Sequence, residues 1–422
     1  MQSNKTNIVG AAQRHVVQEL TGMAEVPGTI TVGEPQKQGD GIKAFISYKV
    51  GARGATVVRR YNDFVWLHGE LEKQGSGCIV PPLPEKAALG RFDELFLQRR
   101  RRALERFLNR VAEHALLRGA KSFTAFLSAA DLGAAKAESR SSGGTMMASM
   151  KQWFGETVHS AKQMMGAAEV ESTAEDLAVL DEYGYVCGLE PQMRNVLKHT
   201  SLLVQRQREQ GDALGEVGAS FAALGASEGD AEVLGQALAA LGVTAKQLGA
   251  IAKEQVENEQ QYFEEPLTDY LQLVGAARRA LEKRAEKQHT LNTAKAALDT
   301  KRQAHSRLVE KSAGAGSGGA STKGDSKVRA SEQEMRKAEQ QLLQTSEEAQ
   351  LVTARVMDEM ERFKREKLGD FQRISLDYVQ LQIEACERQE KAWELLIPQL
   401  EVLDVEALET GGGSPRAAAA TP

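Results

Sequence analysis

The sequence predicts an α+β N-terminal domain, a three-stranded antiparallel sheet with helices, followed by an all-α region of three long antiparallel helices that dimerises. Three observations carry this. From Gly28 to Tyr61, apolar and polar residues alternate between glycine-rich turns. From Met193 onward, apolar residues recur every three or four positions. Aromatic residues make up 5% of the 422, against 26% charged, a balance that suits long solvated helices better than a β-rich globule.

Residues 1–20 read as a polar, disordered tail. The stretches "TITV", "QKQGDGIKAFISYKV" and "GATVVRRY" supply the strands of a meander. Phe45, Ser47 and Lys49 alternate with Ala44, Ile46, Tyr48 and Val50, the period of a half-buried strand. Gly39-Asp40-Gly41 and Gly51-Ala52-Arg53-Gly54 provide the turns. Asn62 and Asp63 are helix-starting residues, and Phe64, Leu67 and Leu71 follow at helical spacing. After a proline-rich loop, "IVPPLPEK", comes a basic helix, "RRRRALERFLNRVAEH", with Leu104, Phe107, Leu108 and Val111 on one face. "SFTAFLSAA" closes a domain spanning residues 21–132.

Residues 133–144, "GAAKAESRSSGG", read as a flexible linker by composition. Residues 145–166 follow as an amphipathic helix, with Met146, Met147, Met150, Trp153, Phe154, Val158 and Met165 broadly on one face. Such a stripe normally packs on a neighbouring helix. Here it follows a linker and contains Gly155, which favours a helix lying on a membrane surface, with Met150, Trp153 and Phe154 as contacts. The long helices occupy residues 167–408, broken by "SAGAGSGGASTKGDS", and residues 409–422 form a second disordered tail. The second and third helices each approach ~110 Å at 1.5 Å per residue. A helix that long with one apolar stripe cannot bury it alone; it needs its neighbours and a second chain.

Charge is uneven. The net charge is −5, which excludes a general nucleic-acid binder, yet residues 21–132 hold 17 Lys and Arg against 12 Asp and Glu. A basic module on an acidic body points one end toward an anionic partner. Cys78, Cys187 and Cys386 are far apart and lack metal-ligand spacing, which fits a reducing cytosol without a disulfide framework, metal or cofactor. No signal-peptide pattern and no membrane-spanning run occurs, so any membrane work is done from outside the bilayer. Gly-x-Ser-x-Gly, His-Glu-x-x-His and Rossmann glycine patterns are absent, and Thr322 stands where a phosphate loop requires glycine before Lys323; the chain does not read as an enzyme.

The chemistry concentrates in "VVRRYNDFVWLH". Taken alone, Arg-Arg-Tyr says little, because arginines at strand ends are usually solvated. Its company changes the odds. A ring phosphate calls for a bidentate, permanently charged arginine. The flat face of a sugar-like ring calls for an aromatic floor, which Tyr61 offers. A second phosphate suits Lys86, on a loop stiffened by prolines.

On these residues the stretch from Gly28 to Leu127 resembles the phox-homology (PX) family: Arg-Arg-Tyr-x-x-Phe-x-x-Leu-His, then a Pro-x-x-Pro-x-Lys loop, then an Arg four residues before "LERFL". The resemblance implies that Arg60 grips the 3-phosphate of phosphatidylinositol 3-phosphate. It likewise implies that Tyr61 stacks under the ring, Lys86 meets the 1-phosphate and Arg100 bonds the 4- and 5-hydroxyls. In strand geometry Arg60 and Tyr61 point to opposite faces, so their shared pocket rests on the family alone. Arg59, Arg99, Arg101 and Arg102 are expected to add diffuse attraction to anionic lipid, about 1 kcal/mol each at best. Leu89 is the expected bilayer-dipping residue. His114-Ala115 departs from the family's His-Pro.

The remainder, roughly Glu171 to Leu403, resembles the BAR domain of the sorting nexins through "SFAALGASEGDAEVLGQALAALG", "YFEEPLTDYLQLVGAARRALEKR" and "RFKREKLGDFQRISLDYVQLQIEACERQEKAWELLIPQL". Together the two halves look like a retromer-associated PX-BAR sorting nexin. That implies a peripheral protein on the cytosolic face of early endosomes and tubular sorting membranes, a homo- or heterodimer that senses or imposes curvature in retrograde transport, with the retromer core as a further partner. Pro266 is a physical source of bend in the second helix. Residues 295–337 carry ten Lys and Arg against five acids, and Lys301 and Arg302 match the family's tip cations. Lys364, Arg365 and Lys367 are a second basic group. The rival is a phosphoinositide-binding coiled-coil adaptor that does not remodel membranes. Preference between the 3-phosphate and the 3,5-bisphosphate stays open, as does cargo.

Overall fold

The computed structural model describes residues 30–39, 44–52, 54–86, 93–141, 173–228, 232–314 and 322–401. The chain divides into two compact units, Met1–Gly75 with Val80–Thr157 and Ser76–Ile79 with Val158–Pro422. Leu89, Met150, Trp153 and Phe154, with the expected amphipathic helix at 145–166, lie outside the described residues.

In the first unit, strands β1 (Thr31–Val32) and β2 (Gln36–Gln38) pair along the same edge of β3 (Phe45–Ala52), and β4 (Ala55–Arg60) pairs with the other edge. All pairings are antiparallel, so the meander is present with its first strand broken in two. Val32 faces Val50 while Gln36 faces Ser47, so Gly33, Glu34 and Pro35 span two residues of β3. One residue is extra, which is a bulge at the place where proline cannot donate to the ladder. Gly54, at φ 80°, supplies the left-handed residue of the hairpin into β4, so Gly51 and Ala52 stay in the strand rather than in the expected turn.

Helix α1 (Tyr61–Gln74) starts where β4 stops. The Asp63 carboxylate accepts the Arg60 backbone N–H at 2.8 Å, which satisfies a donor that neither strand nor helix would use. Phe64, Leu67 and Leu71 are fully buried. Helix α2 (Glu94–Glu113) is capped by Asp93, whose side chain accepts from Phe96 N at 2.9 Å, and it buries the predicted face of Leu104, Phe107, Leu108 and Val111. Its polar side chains serve the sheet edge. Asn109 both accepts from Ile30 N (2.9 Å) and donates to Ile30 O (2.8 Å), while Glu105 accepts from Val32 N (2.8 Å). A helix thus completes an edge that would otherwise lie open. Helix α3 (Lys121–Ser128) brings Phe126 edge-on to Phe64 at 4.9 Å.

Gly133–Ser141, expected as flexible linker, is helix α4. Its "AAKAE" core favours helix, and Lys136 ties it to Asp63 at 2.5 Å.

The second unit contains α5 (Ala174–Ser227), α6 (Glu232–Glu259), a π turn at Gln260–Glu264, α7 (Glu265–Gly314) and α8 (Thr322–Glu401). The π turn joins α6 and α7 into one long element. Pro266 sits just beyond it, and the widened turn accommodates a residue that lacks a donor and clashes with an ordinary preceding turn. Helix α8, at 80 residues, is about 120 Å long. Val179, Val186, Met193 and Thr200 are buried at intervals of seven, the first three in one cluster with Tyr270, Val274, Leu281, Val356, Met360 and Phe363 from α7 and α8. Beside the π turn, fully buried Glu259 accepts from the amides of Gln207 (3.1 Å), Gln255 (2.9 Å) and Gln382.

The α5–α6 contact departs from the expected apolar stripe. Val217 and Leu224 are 45% and 47% exposed, and Val196 and Leu203 are exposed as well. The buried line is made by glycines instead: Gly211 meets Gly249, Gly218 meets Gly242, and Gly225 meets Gly235. A Cβ on Gly218 would fall 2.7 Å from Gly242 O, so the two backbones approach as only glycine permits.

Candidate functional site

β4 alternates, and that decides the two arginines. Val57 and Arg59 face inward; Val58 and Arg60 face out. Arg59 is 2% exposed, and its guanidinium donates to Phe126 O at 2.9 and 2.7 Å, to Val58 O at 3.0 Å and to Ala129 O. Burial lowers its pKa, opposed by the nearby Asp63 and Asp131. The expectation that Arg59 adds diffuse attraction to lipid is therefore corrected: it closes the C-terminal end of α3. Arg101 is also engaged, donating to Val32 O (3.1 Å) and pairing with Glu34 at 3.6 Å. Arg99 remains exposed.

Arg60 projects outward with its side chain 54% exposed, 3.7 Å from Asp63. Tyr61, one residue on, belongs to α1 rather than to the strand, so strand alternation does not separate the two side chains. The Tyr61 hydroxyl donates to Pro84 O at 2.6 Å. Burial pushes its pKa up, with Arg100 opposing. Arg100 comes from α2. Its guanidinium lies 4.4 Å from the Tyr61 ring centre and 4.3 Å from that of Phe96, and it donates to Glu85 O at 2.9 Å. Lys86 follows, exposed on the same loop. Tyr61, Arg100 and the 84–85 backbone thus form one stacked unit, with Arg60 and Lys86 attached to it through adjacent residues. It is a cationic cluster around an aromatic ring, chemistry suited to a phosphorylated ligand. Sequence reasoning missed three neighbours. Phe96 stands one helical turn before Arg100, a spacing that could have flagged it. Tyr48 is wholly buried beside Arg100, its pKa raised by burial. Asp63 was read only as a helix starter.

In the second unit, Lys301 pairs with Glu334 and Arg302 with Glu339, each at 3.1 Å between α7 and α8. The Lys301 and Lys337 hydrogen bonds hold the Glu334 pKa below its usual value. Lys364 pairs with Glu182 at 2.6 Å and lies 4.9 Å from the Tyr185 ring centre. Lys367 donates to the Tyr185 hydroxyl. Arg365 is exposed. Among the described residues no helix is long and apolar enough to cross a membrane.

A sheet-and-helix module bearing such a cationic cluster, on a chain continuing into three long antiparallel helices, has the makeup of a PX-BAR protein. Residues 48–130 match the PX domain family and residues 150–399, more than half the chain, match the family described as Vps5 C terminal like. The chain belongs to that family, the PX-BAR sorting nexins. It is 29% identical to Sorting nexin 1 of Arabidopsis thaliana over 88% of this chain and 92% of that one. Against Sorting nexin-1 of Homo sapiens the identity is 26%, over 89% and 72% respectively. The solved SNX-BAR Mvp1 tetramer shares the fold, with a TM-score of 0.50 at 21% identity over 87% of this chain and 100% of that one. Membership implies a membrane-associated protein of endosomal sorting, with a phosphoinositide-binding module and a dimerising scaffold.

Proposed function

We propose that this chain binds phosphatidylinositol 3-phosphate through its N-terminal module and reads or shapes curvature as a dimer on early endosomal membranes, in retrograde transport. The observation that carries the reading is the Tyr61–Arg100 stack on the 84–85 backbone, with Arg60 exposed beside it. Arg60 takes the 3-phosphate, Tyr61 floors the ring, Lys86 takes the linking phosphate and Arg100 the ring hydroxyls. The 3,5-bisphosphate is the second headgroup this cradle would admit. Leu89, Met150, Trp153 and Phe154 are assigned to the bilayer, and Lys301 and Arg302 to its charged surface. The partner in the dimer is a second copy or another PX-BAR sorting nexin, and the retromer core is a proposed associate.

Liposome sedimentation across a phosphoinositide panel tests this. Arg60→Ala should abolish recruitment to vesicles carrying the 3-phosphate and leave the dimer intact. Retained binding at physiological salt, where diffuse attraction is screened over ~8 Å, would overturn the assignment. A second reading, an adaptor that binds the headgroup but leaves the bilayer flat, draws on the tip cations already having acidic partners. Tubules in the same vesicles decide between the two.

A further inference from the structure

Asp63 poses a problem for the proposed cradle. Its Oδ2 accepts the Arg60 backbone N–H at 2.8 Å, so the carboxylate is needed where β4 becomes α1. Its Oδ1 lies 3.7 Å from Arg60 Nε. An anion there repels an incoming phosphate and engages the guanidinium that should meet it. The chain supplies a remedy from outside the strand–helix junction. Lys136, on α4, places Nζ 2.5 Å from the same Oδ1, far closer than Arg60 does. The Lys136 and Asp63 side chains are only 21% and 12% exposed, so solvent screens the pair less than a surface bridge. The Trp66 ring, 5.9 Å from Nζ, flanks the ammonium. Arg59 gives its donors to the Phe126, Val58 and Ala129 carbonyls and acts on Asp63 only through space, whereas Lys136 hydrogen-bonds the carboxylate itself.

We propose that Lys136 is a positioning residue for headgroup binding: it neutralises Asp63 and thereby leaves the Arg60 guanidinium free for a ring phosphate. The proposal rests on the phosphatidylinositol 3-phosphate reading and extends it to a helix beyond the expected domain boundary at residue 132. It makes that helix a determinant of affinity, although no residue of α4 need touch lipid.

The test uses the full chain and phosphatidylcholine vesicles with and without a few per cent phosphatidylinositol 3-phosphate, with unfolding midpoints recorded alongside. Lys136→Met is expected to bind about tenfold more weakly than wild type, the loss of one partly buried charge partner. Asp63→Asn keeps an acceptor for the Arg60 N–H while removing the charge, so alone it should bind at least as tightly as wild type. Combined with Lys136→Met, it should restore affinity to within about twofold. If Lys136→Met binds like wild type, or the double variant stays as weak as Lys136→Met, Lys136 only holds α4 in place and the proposal is wrong. An Arg60→Ala arm separates the two levels of failure. Should it bind as well as wild type, the headgroup reading itself falls and takes this inference with it.

Discussion

Two pairs of adjacent cations in this molecule behave in opposite ways. Arg59 and Arg60 are neighbours on a strand, and the period of two sends one into the core and the other into solvent. Lys301 and Arg302 are neighbours on a helix; a step of about 100° leaves both partly in solvent, and each reaches an acid on α8. In the sheet unit a shift of one residue exchanges a buried structural role for an exposed position. At this place in the helical unit the two charges lie in exposed pairs between α7 and α8. The strand pair should therefore respond to substitution residue by residue, the helix pair in proportion to charge removed.

The largest effect expected follows from this. Arg59→Met leaves the Phe126 and Ala129 carbonyls without their donor inside the core and should cost the N-terminal unit about 3 kcal/mol or more. Arg60→Met removes a half-exposed contact at 3.7 Å and should cost under about 1 kcal/mol. Thermal unfolding of the two variants side by side measures the difference. Equal losses would break the contrast between the inward and outward arginine.

Much of this arrangement was legible in the sequence. The spacing of Leu104, Phe107, Leu108 and Val111 gave a helix face that is at most 1% exposed at every position. The order Arg-Arg-Tyr, proline loop, basic helix marked Arg100, which stacks on Tyr61, and the loop whose backbone both of them bond. The split between Arg59 and Arg60 was harder to read. Val57 and Val58 are both apolar, so alternation did not say which face was the core; acceptors 67 and 70 residues away decide it. The Asp63–Lys136 pair spans 73 residues and left no local pattern. The glycine contact between α5 and α6 is different. Glycines at 211, 218 and 225, and at 235, 242 and 249, recur every seven residues in plain view. A search for apolar side chains passes over a contact made by having none.

That contact yields the next prediction, in which two glycines on one helix change sign. Gly218→Ala drives a methyl to 2.7 Å from Gly242 O and 2.8 Å from Lys246 N, both backbone atoms, and should destabilise the helical unit by about 1–3 kcal/mol. Gly215 has nothing within 4 Å, so Gly215→Ala should instead stabilise by up to about 1 kcal/mol through helix propensity. Circular dichroism melts of both variants sharpen the comparison. Destabilisation by both would show that α5 tolerates no added side chain on either face, and that the close approach is not confined to the glycine line.

The smallest expected effect bears most directly on how the helical unit divides stability from function. Lys301 and Arg302 have side chains 40% and 55% exposed, and their partners Glu334 and Glu339 are 54% and 42% exposed. Pairs in that setting contribute little, because water competes for both charges and two long side chains must be held still. Lys301→Gln with Arg302→Gln should therefore leave the unfolding midpoint nearly unchanged. Attachment to anionic vesicles should fall and depend less on salt, since two cations no longer meet lipid phosphates. The acids matter to the same argument. On the proposed reading each cation must exchange a carboxylate for a lipid phosphate, so Glu334→Gln should strengthen vesicle attachment where Lys301→Gln weakens it. If the Lys301 and Arg302 substitutions melted the helices together with the binding, the cations would be holding α7 to α8, and the contrast with Arg59 and Arg60 would fail at this end of the molecule.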